Sequence, residues 1–352
     1  MTSDSYAGLR ETEQSRSGVI DRFMEWIEQL PISYLVFCLI VFVIGVVLLP
    51  LGMVLRSPDH LWTIDLDSIL SSYVIAYSLG LMLYVRRSAR QSLAAFAPVL
   101  DLDDAAYQRL QTNLIRTPTA PALLTSVSVV ATSIVANYLV ASEEMRSLLF
   151  SPAVLITTVV LVGLTYGMVG ILVYDLIRKL WLISRIYALG GKFDLFNRHT
   201  LYAFSGLTAR ILAGWLILSY PSALLAGGNW RSPAWLTVTG LTLAVILIAF
   251  VYTLLHIHQR MRTEKERLLL DVQSRLRQAF TRLHERMDHD TLQDVAQLKV
   301  LMDSLVVERD VLTKISTWPW QGETLAGFSS VVLLPIGLWL IQTLIKQLLG
   351  TG

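Results

Sequence analysis

The sequence predicts an all-α polytopic membrane protein with about seven transmembrane helices and a cytoplasmic antiparallel helical hairpin. Of its 352 residues, 54% are hydrophobic and 16% are charged, whereas soluble domains carry about 25% charged residues. The apolar residues are also grouped into long blocks, each close to the roughly 20 residues that cross a bilayer as a helix. Charged segments separate these blocks. Lipid is therefore the expected solvent for most of the chain.

Seven apolar blocks have the length and composition of a span. The second is the shortest, and residues 61–85 are expected either to span the membrane or to re-enter on the same side. The blocks cover residues 32–55, 68–85, 120–141, 152–177, 207–226, 234–256 and 325–349.

The distribution of Lys and Arg predicts the orientation, because basic flanks stay in the cytoplasm. With the N-terminus inside, 25 of the 29 Lys and Arg residues fall on the inner side, and the C-terminus lies in the periplasm or outside the cell. The predicted layout follows from this orientation. It consists of a cytoplasmic N-terminal segment (1–31), a six-helix membrane region (32–257) with cytoplasmic loops at 86–119 and 178–206, a hairpin (258–324) and a last transmembrane helix (325–352).

The N-terminal segment contains an amphipathic pattern rather than a cleavable signal. Its apolar residues recur at helical spacing with acidic and basic residues between them. We expect this helix to lie along the membrane surface and to end at Pro31. The apolar positions are Ile20, Phe23, Met24, Ile27 and Leu30.

The hairpin is predicted from two apolar stripes at helical spacing. The stretch 258–287 has no Pro or Gly, so its helix is expected to continue directly from the sixth span. A second stripe follows after residue 290 and can face the first. Two interpretations stay open, since the stripes either bury only each other or also join subunits or bind a cytosolic protein. The residues that suggest extra apolar area are Val300, Val306, Val307 and Val311.

Three groups of polar or helix-breaking residues are candidate sites. Pro335, Gly337 and Gln342 mark a pore or hinge in the last span, with a plain proline kink as the alternative. The other two groups lie in earlier spans and have equally open alternatives. Ser126, Ser133 and Asn137 share one face and either line a water-filled path or bond neighbouring helices, and Asp175 and Arg210 either form an ion pair or are hydrated end groups.

Enzyme chemistry is not expected. The sequence has no Walker loop, HExxH, GxSxG or Rossmann pattern. Its one cysteine, Cys38, allows no intrachain disulfide and no cysteine metal site. The net charge of +2 is too small to indicate a nucleic-acid partner. We therefore expect no cofactor, no metal and no nucleic acid, and membrane lipid as a partner.

Two stretches resemble a family of bacterial polytopic membrane proteins with no assigned activity. They are FDLFNRHTLYAFSGLTAR at 193–210 and STWPWQGETLAGFSSVVLLPIGLWL at 316–340. This resemblance implies a bacterial inner-membrane location. The predicted architecture is also similar to the insect chemoreceptor-like seven-helix channels, in which the last helix lines the pore of a tetramer and a cytoplasmic bundle joins the subunits. No residue motif of theirs is matched here, so that second likeness concerns the fold alone.

The expected function is a homo-oligomeric gated ion channel. In this hypothesis the last span lines the pore and the hairpin joins the subunits. A non-conducting scaffold or sensor that presents the hairpin to a cytosolic partner is the first alternative. A secondary transporter is the second alternative, although the odd number of spans and the lack of internal halves count against it.

Overall fold

The computed structural model describes residues 18–54, 66–100, 102–140, 152–189, 198–225, 233–287 and 292–315, and these are helical apart from short connections. The all-α class is confirmed for this part of the chain, which contains no strand. The last predicted span, with Pro335, Gly337 and Gln342, lies outside the described residues. The helices are α1 (Val19–Gln29), α2 (Tyr34–Val54), α3 (Leu66–Phe96), α4 (Asp104–Ile115), α5 (Thr119–Val140), α6 (Pro152–Leu189), α7 (Arg198–Leu225), α8 (Pro233–Met287) and α9 (Leu292–Lys314), with a 3-10 turn at Ala97–Val99.

Two helical stretches among the described residues are long and apolar enough to cross a membrane. They are Ser68–Phe96 and Asp104–Val135, and a third candidate arises if Val19–Gln29 and Tyr34–Leu48, which are bent by 113°, form one broken span. The structure thus supports a membrane protein in general terms. The count of seven spans stays a prediction.

Several helices run beyond the apolar blocks that predicted them. Helix α3 continues to Phe96 and α6 to Leu189, so much of the predicted loops 86–119 and 178–206 is helical. The reason is physical, because bilayer thickness limits the apolar stretch while a helix continues until a residue breaks it. Residues 66–96 form one continuous helix, which favours a span over a re-entrant segment for this part of the chain.

Helix α3 lies at the centre of the bundle and packs against α2, α6 and α7. Its Leu83, Val85 and Leu93 side chains are fully buried. At its far end the Phe96 ring meets the Phe204 ring of α7 edge-on, with centroids 5.2 Å apart. The core is therefore built around one helix that contacts several others.

Helices α5 and α6 approach each other backbone to backbone at Gly170. A Cβ atom added to Gly170 would lie 2.5 Å from Ser126 Cα, which is closer than such atoms come in real proteins. One turn earlier, the Ser126 hydroxyl donates to the Gly167 carbonyl at 3.0 Å. Small residues at helix contacts in membrane proteins allow this approach. Gly170 is required here because the partner is backbone and cannot move aside.

A tyrosine of α3 donates to the backbone carbonyl that a proline in α7 leaves without its helical hydrogen bond. Pro221 has no N–H, so the carbonyl of Ile217, four residues earlier, loses its usual helical partner. The Tyr73 hydroxyl donates to that carbonyl at 2.8 Å. The α3–α7 contact therefore satisfies a backbone group that the sequence of α7 itself leaves open.

Helices α8 and α9 form an antiparallel pair. The Lys265 ammonium of α8 donates to the carbonyls of Thr313 and Ile315, each at 2.8 Å. The C-terminal end of α9 therefore lies beside the middle of α8. Apolar side chains are buried between them, Val272 and Ala279 from α8 and Leu305 and Leu312 from α9. Helix α8 is continuous over 55 residues, as the lack of helix breakers predicted.

Candidate functional site

A cluster of buried and half-buried charged and polar side chains lies where α1, α3, α6 and the connection before α5 meet. We call it the inner cluster, because the distribution of Lys and Arg places all four segments at the predicted cytoplasmic side. Charged side chains are seldom buried unless they are paired. The cluster consists of Asp21, Glu25, Glu28, Arg86, Arg90, Thr117, Asp175 and Lys179.

The deepest part of the inner cluster is an ion pair within α6. Lys179 donates through its Nζ atom to both carboxylate oxygens of Asp175, one turn earlier on the helix. Both side chains are almost wholly shielded from solvent, at 2% and 1% exposure. Removing either partner would leave an uncompensated charge, which is among the more destabilising changes in a protein interior.

Thr117 connects this ion pair to α1. Its hydroxyl donates to Asp175 Oδ1 at 2.6 Å, and its backbone N–H donates to Asp21 Oδ1 at 3.0 Å. Residues 116–118 separate α4 from α5, so this backbone N–H lies outside any helix and is free to bond a side chain. One residue therefore contacts carboxylates of both α1 and α6.

Arg86 of α3 faces three carboxylates of α1. Its guanidinium nitrogens lie 3.9 Å from Asp21, 3.5 Å from Glu25 and 3.7 Å from Glu28. One turn further along α3, Arg90 donates to Glu28 Oε2 at 3.0 Å. Asp21, Glu25 and Glu28 recur at steps of four and three, so one face of α1 is acidic and lies on the basic end of α3.

Apolar contacts and a close approach at one glycine also hold α1 against the bundle. Met24 and Ile27 are buried against the bundle. At the start of the helix, a Cβ atom added to Gly18 would lie 1.9 Å from Thr119 Oγ1, so the chain passes directly over the first turn of α5. Helix α1 is therefore fixed by packing as well as by charge.

Burial raises the pKa of the Asp21 carboxyl above its ordinary value, against the opposing effects of the Thr117 N–H and the Arg86 charge. Desolvation disfavours the ionised form more than these partners favour it. The folded protein consequently holds the Asp21 proton more tightly than the unfolded chain does. This residue contributes more to stability at low pH, and its contribution falls as the pH rises through the raised pKa.

The apolar stripe that predicted α1 packs only in part against the bundle. Met24 and Ile27 are buried, whereas Val19, Phe23 and Trp26 are exposed. We call these last three residues the α1 outer face. The difference arises because α1 carries apolar residues on two sides, and a pattern alone does not tell which side meets the bundle.

The predicted polar face of α5 is engaged in helix packing where it is described. Ser126 donates to the Gly167 carbonyl of α6 at 3.0 Å, and Ser133 is buried. The Asn137 side chain lies outside the described part of the structure. For Ser126 the bond to a neighbouring helix, one of the two interpretations, is the one observed.

Asp175 has partners other than Arg210. Its carboxylate is held by Lys179 and Thr117, and Arg210 on α7 is exposed. Lys179 was not predicted as a partner because the fourth span was expected to end at residue 177, whereas α6 continues to Leu189. The spacing of four between an acid and a base on one helix is the signal that would have found it.

The second surface of functional interest lies on α9. Val300, Val307 and Val311 are exposed, and successive steps of seven and four place them within about 40° of arc on the helix. The buried residues Leu305 and Leu312 lie about 130° further around the helix, against α8. We call Val300, Val307 and Val311 the α9 outer face. It is an apolar stripe that α8 does not cover.

The described residues contain no group of three or more His, Cys, Asp or Glu side chains placed to hold a metal ion. The inner cluster instead combines paired charges that connect three helices and the segment before α5. Such an arrangement can fix the position of α1 and respond to its displacement. Comparisons of the chain with protein-family models, with curated proteins and with solved structures found no match.

Proposed function

We propose that the chain is the subunit of a homo-oligomeric gated ion channel of the bacterial inner membrane, in which the α8–α9 hairpin joins subunits. The observation that supports this proposal is the α9 outer face. Three valines in one stripe are exposed on a helix whose other side is already packed against α8. A second such stripe on a neighbouring subunit would cover them in the manner of a coiled coil.

The continuity of α8 supports a link between assembly and the membrane. This helix runs without interruption from Pro233 to Met287, so the predicted sixth span and the hairpin are parts of one rigid element. An oligomer formed through the hairpins would therefore set the spacing and tilt of the membrane helices. In this proposal the last span, with Pro335, Gly337 and Gln342, lines the central pore.

The assembly step is tested by changing the α9 outer face in the full-length protein. Val307→Glu places a charge within the proposed contact and is expected to convert the oligomer into monomers, measured by mass photometry in detergent. Val306→Glu is the matched control, since it makes the same change about 100° around the helix at another exposed position. Equal behaviour of the two variants, or a monomeric wild-type protein, would overturn the proposed assembly.

Conduction is tested separately in liposomes. The wild-type protein is expected to carry ion currents, and Gln342→Leu and Pro335→Ala are expected to alter their size or gating. A protein that is oligomeric but passes no current under any applied voltage, tension or ligand would reject the channel. Saturable uptake of a solute without unitary currents would favour a transporter instead.

The same stripe favours one alternative, a non-conducting scaffold or sensor. An exposed apolar face on a projecting hairpin is also what an amphipathic helix of a cytosolic partner would bind. A monomer that loses a specific cytosolic ligand on Val307→Glu, and keeps it on Val306→Glu, would support this alternative.

A further inference from the structure

Helix α1 has two different faces, and the bundle accounts for only one of them. The acidic face, with Asp21, Glu25 and Glu28, lies on Arg86 and Arg90 of α3. The α1 outer face, formed by Val19, Phe23 and Trp26, is exposed, with 74%, 42% and 52% of each residue's surface accessible. An eleven-residue helix thus presents an apolar stripe that the described bundle leaves uncovered.

The outer face is continuous with the exposed apolar side of α2. The Trp26 ring meets the Phe37 ring of α2 edge-on at 6.3 Å, and Phe23 stacks on Trp26 at 6.0 Å. Helix α2 exposes a long series of aliphatic side chains and has no Asp, Glu, Lys, Arg or His residue among Tyr34–Val54. They include Leu35, Val36, Leu39, Ile40, Val43 and Ile44. Whatever covers α2 therefore meets Phe23 and Trp26 at its edge.

The residue types at this edge are those of a membrane interface. Trp and Tyr concentrate at the level of the lipid headgroups, and Arg side chains extend towards the same level from buried stems. Here Trp26 lies at the junction of α1 and α2, and the Arg87 guanidinium lies over the Tyr34 ring, 4.8 Å from its centroid.

A protein partner and residues 1–17 of this chain fit the α1 outer face less well than lipid does. Aromatic side chains bury about 150–250 Å² each, so Val19, Phe23 and Trp26 by themselves fall short of the roughly 800 Å² that each partner buries in a standard protein interface. The adjoining exposed face of α2 carries no charged or amide side chain, as expected of a helix that faces lipid. Residues 1–17 of the chain are mostly polar and offer little apolar surface. Lipid remains as the occupant that needs no large complementary area.

We propose that the α1 outer face lies in the headgroup region of the bilayer while its acidic face holds α1 on the inner cluster, so that α1 connects the membrane surface to the buried Asp175–Lys179 pair. The connection runs through named contacts, from Asp21 to the Thr117 N–H and from the Thr117 hydroxyl to Asp175. A shift of α1 relative to the bundle must break the first of these. This inference does not depend on ion conduction.

The lipid contact is tested with a fluorescent bimane label at Phe23→Cys in a Cys38→Ser background, which removes the one native thiol. The full-length protein is placed in vesicles of phosphatidylethanolamine and phosphatidylglycerol. We expect quenching by lipid that carries a nitroxide near the headgroup and weak quenching by aqueous iodide. Ser274→Cys on the exposed side of α8 is the aqueous control, and Leu39→Cys on α2 is the lipid control.

Each other outcome of this labelling overturns the lipid contact. Iodide quenching equal to that at Ser274 would place the α1 outer face in water. Protection from both quenchers would mean that a protein surface, from a second copy or another partner, covers it.

The hold on α1 is tested by reversing one charge. Glu28→Lys faces Arg86 and Arg90 and should release α1. A water-soluble maleimide should then label Met24→Cys, in the Cys38→Ser background, several-fold faster than it does when Glu28 is present. Gln29→Lys introduces the same side chain at the next, exposed position and should leave the labelling unchanged. Adding Arg90→Glu to Glu28→Lys should restore much of the protection. Equal labelling in the Glu28 and Gln29 variants would overturn the role of the acidic face.

Discussion

Charged residues behave differently in the inner cluster and in the α8–α9 hairpin. In the cluster, Asp21 and Arg86 are buried and come from different helices. In the hairpin, Arg262–Glu266 and Arg275–Asp271 are pairs within one helix, and every partner is more than half exposed. Exposed pairs of this kind contribute about 0.3–0.5 kcal/mol each. The same residue types thus determine which helices meet in one region and mainly keep a helix soluble in the other.

The largest expected effect on stability follows from the buried Asp175–Lys179 pair of α6. Lys179→Met leaves the Asp175 carboxylate without its cation and is expected to lower the free energy of unfolding by about 3–5 kcal/mol. Unfolding by SDS in mixed micelles measures this change. In the hairpin, Arg275→Met removes the partner of Asp271 and is expected to cost less than about 0.5 kcal/mol.

A second variant sharpens this comparison. Asp175→Asn combined with Lys179→Met removes both charges and keeps an oxygen that accepts from the Thr117 hydroxyl, so it should recover most of the loss. If Lys179→Met and Arg275→Met destabilise the protein equally, the distinction between the two regions is wrong.

The next largest effect on stability is expected where α5 and α6 pack against each other through uncharged residues. Gly170→Ala places a methyl group 2.5 Å from Ser126 Cα and is expected to destabilise the protein by about 1–3 kcal/mol through overpacking. Gly163→Ala on the same helix meets nothing within 4 Å. It should stabilise α6 by up to about 1 kcal/mol, the helix preference of Ala over Gly. Thermal denaturation in detergent measures both, and changes of the same sign would contradict the close approach of α5 and α6.

The smallest effect is expected at Asp21. Asp21→Asn keeps an acceptor for the Thr117 N–H and removes a carboxylate whose pKa burial raises, so its stability at pH 7 should lie within about 1 kcal/mol of the wild type. As the pH falls through the raised pKa, the wild type gains a proton that the variant cannot bind. Its unfolding midpoint should therefore rise relative to that of Asp21→Asn.

Asp21→Leu is the contrasting change at this position. It leaves the Thr117 N–H buried without an acceptor, which costs about 1–3 kcal/mol at any pH. A constant difference in midpoint between the wild type and Asp21→Asn from pH 8 to pH 4 would show that the Asp21 carboxyl titrates as it does in the unfolded chain.

The helical architecture was accessible from the sequence because it depends on local patterns. The stripes on α8 and α9 are periodic, and the absence of Pro and Gly from residues 258–287 predicted that α8 continues beyond the apolar block. Pro31 likewise marked the end of the N-terminal helix, which stops at Gln29. These signals need only a few neighbouring residues.

The inner cluster depends on contacts that no local pattern contains. Asp21 and Thr117 are 96 positions apart, and Asp21 lies among residues that are equally consistent with a hydrated helix face. Asp175 and Lys179 were within reach, but the predicted membrane edge at residue 177 separated them. The Asp175–Lys179 ion pair was not predicted because the helix was assumed to end where its apolar stretch ends.

The length of α8 has a mechanical consequence. At 1.5 Å per residue, the part from His258 to Met287 is a rod of roughly 45 Å, so a tilt of about 10° at its base displaces its tip by roughly 8 Å. Small rotations at the base of this rod are thereby magnified at its distal end, and forces applied to that end act on the base with the same mechanical advantage. A molecule that binds the tip can therefore turn the first part of α8 without contacting it.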